Sequence, residues 1–282
     1  MTVPHSRTLL AAAFLLMGSR FGLTQSPTPA QLPAAELVKS VIHNELHPPA
    51  NSEVRWKYRV EKESDGKHET RAVIETKDGS LYRLLAVAGK PLSAADESSE
   101  AARILRFSQN SEEHRKAEQA RRKDMEQCNT FLQMIPDAFV FEYAGQNSNS
   151  TKLTFKPNPR FRPPSREGKV LQQMAGEMWV DTKQQRLVSI VGQLVNDVKF
   201  SGGLLGHLQR GGQFTVRRAE IAQGDWEMTE LTVNMRGRAL LFKNICVQQK
   251  EVHTGFQRVP DDLTLADAAN LLLHQTVVAL KQ

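Results

Sequence analysis

Cysteine is nearly missing from this chain, with only Cys128 and Cys246 among 282 residues. That scarcity excludes a disulfide-stapled scaffold, and a chain of this length can bury about 70% of its unfolded surface without staples. In an oxidising compartment the two thiols can pair or remain separate. Sequence spacing does not decide, because a disulfide needs its Cα atoms within about 7 Å. No block of five or more consecutive Lys or Arg occurs, and the formal net charge is a mild +6, which excludes a nucleic-acid footprint. After the first two dozen or so residues, no stretch is apolar enough to cross a bilayer, which takes about 20 residues. Catalytic signatures are lacking as well. There is no Gly-x-Ser-x-Gly elbow, no His-Glu-x-x-His and no glycine loop ending in Gly-Lys-Ser/Thr. The expectation is a non-enzymatic protein with no cofactor and no metal.

What is present begins with a leader. His5 and Arg7 give a short basic start, Leu9 to Met17 is apolar but short, and Gly18, Ser19, Gly22 and Thr24 follow. This is the order of a cleavable secretory signal. The expected organisation is a signal peptide over 1–24, a mobile linker over 25–33 and one domain over 34–282, in the periplasm or secreted. Arg7 and Arg20 leave with the leader, so +4 of the formal +6 remains. Hydrophobic residues make 40% of the chain and charged residues 24%, as in ordinary globular proteins.

Apolar periodicity predicts the elements. Leu37, Val38, Val41, Ile42 and Leu46 mark one face of a helix over 34–46, ended by Pro48 and Pro49. Val54, Trp56, Tyr58 and Val60 alternate with charged residues as a strand does, and Asp65-Gly66 and Asp78-Gly79 set hairpin turns towards strands at 70–76 and 81–87. A helical insertion spans 93–135, opened by Ser93 with Asp96 and Glu97. Strands follow at 139–143 and 151–156. The prolines at 157–164 bar regular structure, and a short helix is expected at 170–175. Further strands fall at 177–181, 187–194, 195–200, 213–222, 226–235 and 240–247, before a last helix at 265–280. The fold class is α+β, a curled antiparallel sheet (an unclosed β-barrel) whose one face is covered by helices.

Each candidate site has a plain structural explanation beside it. His43 and His47 stand at i and i+4, a metal-ligand spacing, but Glu45 is misplaced for the zinc motif and the helix C-terminus itself favours His. The glycines between 202 and 212 suit turns. Asp261 and Asp262 suit capping of the last helix. The mixed charges from Glu112 to Glu126 form a solvated face or a partner-binding arm. The large apolar residues on strands are core, or the lining of a cavity for an acyl chain: Trp56, Tyr58, Phe139, Phe141, Tyr143, Phe155, Met178, Val180, Ile190, Phe214, Val216, Met228 and Val233, with Phe242 beside them.

The leader, the first helix, the strand meander and the Gly176-Glu-Met-Trp-Val-Asp181 strand followed by Leu187-Val-Ser-Ile190 together resemble the periplasmic lipoprotein-carrier superfamily. That group includes LolA, LolB and the N-terminal domain of RseB-type regulators. The resemblance implies an unclosed antiparallel barrel covered by helices. It also implies a ligand, the acyl chain of a lipid or lipidated protein, with an envelope protein as a further partner.

Overall fold

The computed structural model describes residues 32–48, 54–64, 66–200, 206–239 and 248–274. The leader, most of the linker, the strand expected at 240–247 with Phe242 and Cys246, and the end of the last helix beyond His274 lie outside them, and with Cys246 the Cys128–Cys246 pairing; Cys128 is exposed.

Helix α1 (Ala34–Leu46) buries Leu37, Val38, Val41 and Ile42, the face its periodicity marks. The first meander is β1 (Arg55–Ser64), β2 (Lys67–Thr76), β3 (Gly79–Val87) and the two-residue β4 (Lys90–Pro91). Two helices follow, α2 (Ala94–Gln109) and α3 (Ser111–Ala138). Ser93 caps α2 by accepting from Asp96 N, and Asn110 caps α3 by accepting from Glu112 N and Glu113 N. The helical region therefore runs three residues past 135 and holds Pro136 in its last turn.

The second meander comprises β5 (Phe139–Gln146), β6 (Ser150–Pro157), β7 (Met174–Asp181), β8 (Leu187–Leu194), β11 (Gln213–Ala222) and β12 (Asp225–Asn234). The short helix is α4 (Arg166–Leu171), earlier than expected. Residues 174–175 are already strand, paired with Leu194 and Gln193. Short strands β9 (Val198–Phe200), β10 (Gly206–Leu208) and β13 (Gly237–Ala239) make a separate three-stranded sheet, so only the end of the strand expected at 195–200 forms. Strand β14 (Gln248–Val259) was not expected, and α5 (Leu265–His274) follows. Thr264 and Asp267 cap α5 reciprocally, whereas Asp261 accepts from Arg258. The capping role expected of Asp261 and Asp262 thus falls to Thr264.

All eleven strands of the main sheet are antiparallel, in the order β4-β3-β2-β1-β14-β12-β11-β8-β7-β6-β5. The architecture is α+β, with a sheet that is neither closed nor strongly curled. The register gives the physical reason. Met178, Ile190, Val216, Leu231, Glu251, Lys62 and Glu69 lie opposite one another strand by strand and share one face, here face A. Ala72 and Ile74 alternate with that set and point to face B. One core lies on face A under α1, the end of α3, and α4. The other lies on face B of the first meander, under α2 and α5, through Ile74, Leu81, Ile104, Leu265 and Leu272. The helices thus press opposite faces at opposite ends, and no common concave side exists for the sheet to wrap. This corrects the expectation of a curled sheet with helices on one face.

Helix α3 joins the two layers. Its 28 residues measure about 42 Å. That matches the width from β3 to β5 at strand spacings of about 4.8 Å. Only its ends are packed, and residues 119–130 are exposed without a break.

Candidate functional site

The apolar residues singled out in the sequence fall into three groups. Phe139, Phe141, Phe155, Met178, Val180, Ile190 and Val233 are buried in the face A core, packed by the chain's own helices. Phe139 and Phe155 rings lie 4.7 Å apart, with Phe141 6.1 Å from Phe139. Tyr143, Phe214 and Val216 are partly buried at its margin. Trp56, Tyr58 and Met228 sit apart from it, Trp56 edge-on to Phe256 and Tyr58 stacked on Phe256 at 5.1 Å. The fold therefore gathers ten of the thirteen into or against one packed core.

Towards the middle of face A, that core gives way to charge. Glu45 at the end of α1 accepts from both Arg186 Nε and Nη2 at 3.1 Å and from Leu187 N at 3.0 Å, and it also pairs with Arg218 on β11. Glu45 and Arg186 side chains are only 7% and 8% exposed, so this knot holds α1 onto the sheet. Next along are Glu227, Glu75, Tyr58, His253, Glu251 and Lys62. Burial, followed by the Glu75 charge, pushes Glu227 up to about 7. Burial raises Glu75 too, against the Trp56 N–H that its carboxylate accepts at 3.0 Å. Tyr58 is raised by burial and by the acids around it. The His253 ring and Lys62, the latter 2.5 Å away, hold Glu251 down to about 2. His253 Nε2 lies 3.6 Å from Glu251, too far for a hydrogen bond, and is a buried polar atom with no hydrogen-bond partner among the described residues.

A groove of about 700 Å³ lies elsewhere, between the β3–β4 hairpin and α2. Leu84, Val87, Pro91 and Leu92 give it an apolar floor, and Val87 is 42% exposed. Lys90, Asp96, Glu100, Arg103 and Arg106 rim it. The hairpin turn that shapes it places Ala88 at φ 51° and Gly89 at φ 73°, the pair of positive values a tight hairpin needs. Glu100 accepts Leu84 N at 2.7 Å while Arg103 donates to Tyr82 O at 2.6 Å, so α2 is clipped to the backbone of β3. Arg103 and Arg71 both lie over the Tyr82 ring.

None of the thirteen apolar residues lines this groove. One signal for it stands in the sequence. Leu92 precedes the Ser93 cap, where an apolar residue ordinarily staples to the fourth helical position, but that position is Glu97. Leu92 is left for another contact.

The remaining candidates have local roles. His43 and His47 rings stack at 4.5 Å, and His47 Nδ1 is 3.0 Å from His43 O. No group of three or more His, Cys, Asp or Glu among the described residues is arranged to hold a metal ion. No described helix is long and apolar enough to cross a membrane. Within α3, Glu112 pairs with Arg115 and Lys116, and Glu118 with Arg121 and Arg122, all on the solvated surface.

No family model and no curated protein matches this chain. Among solved structures it is similar to the crystal structure of a DUF1329 family protein from Desulfovibrio piger, at 10% identity and a TM-score of 0.26, over 80% of this chain and 93% of that one.

Proposed function

We propose that the mature chain is an exported, non-enzymatic binding protein for the acyl chain of a lipid or lipidated protein, with the chain lying in the groove between α2 and the β3–β4 hairpin. The leader and the lipoprotein-carrier resemblance of the Gly176–Asp181 strand motivate export and ligand class. The observation that carries the reading is the groove, whose apolar floor includes the exposed Val87. Its volume lies within the usual range for ligand sites, about 300–1,000 Å³. A methylene taken fully out of water contributes about 0.8 kcal/mol, and an open groove withdraws only part of a chain from water, which suits weak carriage and release.

The test is native mass spectrometry of the mature chain, purified gently from an envelope extract. Lipid adducts are expected, and they should vanish in Val87→Glu while the circular dichroism spectrum stays unchanged. A chain that is free of lipid from every extract overturns the reading. A second reading, a protein-interaction module, draws on the exposed middle of α3. Cross-linking in intact cells would then give a partner set that changes in an Arg121→Glu, Arg122→Glu, Lys123→Glu variant. An unchanged set counts against it.

A further inference from the structure

Charge at the rim of the groove goes beyond the simple binding of an acyl chain. Three cations, Lys90, Arg103 and Arg106, face two carboxylates, Asp96 and Glu100. These charges are not equally available. Glu100 and Arg103 neutralise each other at 2.7 Å, and burial and hydrogen bonding commit both to the β3 backbone. Asp96 accepts from the Ser93 hydroxyl at 2.6 Å within the cap of α2, where the helix dipole already favours a negative charge. Among the described residues, Arg106 has only a loose contact with Glu113, at 3.9 Å between two well-solvated side chains. Lys90 has no ion pair among the described residues and sits on the exposed two-residue β4, beside the apolar floor.

The uncommitted charge around the apolar floor is therefore positive, carried by Lys90 and Arg106. We infer that the groove selects an amphiphile with an anionic head: the chain lies on Leu84, Val87 and Leu92, and the uncommitted cations Lys90 and Arg106 on the rim attract the head. The inference rests on the acyl-chain reading of the same groove and narrows it to anionic lipids. Neither cation is buried, so both retain most of their hydration and the selection is electrostatic and salt-sensitive. An exposed contact of this kind is worth about a threefold to fivefold change in affinity for each charge.

The experiment titrates the full mature chain by calorimetry with three single-chain probes of one tail length, below micelle-forming concentrations: octyl phosphate, octyl glucoside and octyltrimethylammonium. The phosphate is expected to bind tightest and the ammonium weakest. Lys90→Glu and Arg106→Glu should each weaken octyl phosphate about threefold to fivefold and leave octyl glucoside unchanged. Asp96→Asn should strengthen octyl phosphate, and added salt should erase the preference. Equal affinity for phosphate and glucoside overturns the anionic selection while leaving the acyl-chain reading standing. Failure of all three probes to bind overturns the acyl-chain reading itself. Binding of octyl phosphate that Val87→Glu does not affect places the site elsewhere, and the inference falls with it.

Discussion

Gly176 and Gly192 pair directly across β7 and β8, and the Phe155 and Phe214 rings flank them on the neighbouring strands. A Cβ on Gly192 would meet the Phe214 ring at 2.1 Å, whereas one on Gly176 would meet the Val191 carbonyl oxygen at 2.0 Å and the Phe155 ring at 2.8 Å. The first glycine of the Gly-Glu-Met-Trp-Val-Asp strand is thus required by close backbone approach. Partly buried Phe214 can swing aside, but a carbonyl in the ladder cannot. Gly192→Ala should cost about 1 kcal/mol and Gly176→Ala about 3 kcal/mol in urea unfolding; equal costs would contradict this geometry. Glu227 sets a pH dependence. Its folded value of about 7 lies above the ordinary 4.5, so its stabilising contribution is complete below about pH 4.5 and is lost as pH rises through 7. The groups facing it are Glu75, Arg218, Asp225 and His253. Glu227→Gln should flatten the fall in Tm between pH 5 and pH 8 relative to the parent. Superimposable pH profiles would refute the assignment.

At the scale of elements, α2 guards one edge of the sheet. Strand β4 pairs only with Ala86 and Val87, so most of the outer edge of β3 would be open without the Glu100 and Arg103 contacts. Glu100→Ala should lower stability by about 1–2 kcal/mol, leaving Leu84 N–H unpaired, and should raise light scattering with concentration as the edge is freed. A variant with parental Tm and scattering would rule out the guarding role. The elements differ in how clearly residues announce them. Helix α1 forms over its expected range because its apolar period is undisturbed, and strands β8 and β11 keep their expected ranges even though β11 shifts register at Arg217/Arg218 and Glu220/Ala222. Strand β14 was missed because Gln248-Gln-Lys-Glu251 and the later Gly255 hide any alternation. Yet β14 is the strand that joins β1 to β12, and so the first meander to the second. Its interior neighbours are charged, Lys62 against Glu251, so its inward face carries polar rather than apolar residues. The short helix expected at 170–175 forms earlier, as α4, because Met174 and Ala175 gain ladder pairing with β8.

Across the whole molecule, the helices occupy opposite faces at opposite ends, with α3 bridging them, and this arrangement sets which apolar side chains are covered. Strand composition alone revealed which side chains are apolar. It did not reveal that α1, α3 and α4 would fill the space over most of them, since that depends on non-local packing. The groove was hidden for the complementary reason: its floor is assembled from the end of β3, β4 and the residue before a helix cap, each of which carries one or two apolar side chains. The proposed seat of the acyl chain is the groove between α2 and the β3–β4 hairpin. The most direct measurement is a two-dimensional amide NMR titration of the ¹⁵N-labelled mature chain with octyl phosphate. The account predicts saturable shifts confined to residues 84–106. Shifts centred on Phe139, Phe141 and Phe155 instead, or a spectrum that does not move, would contradict it.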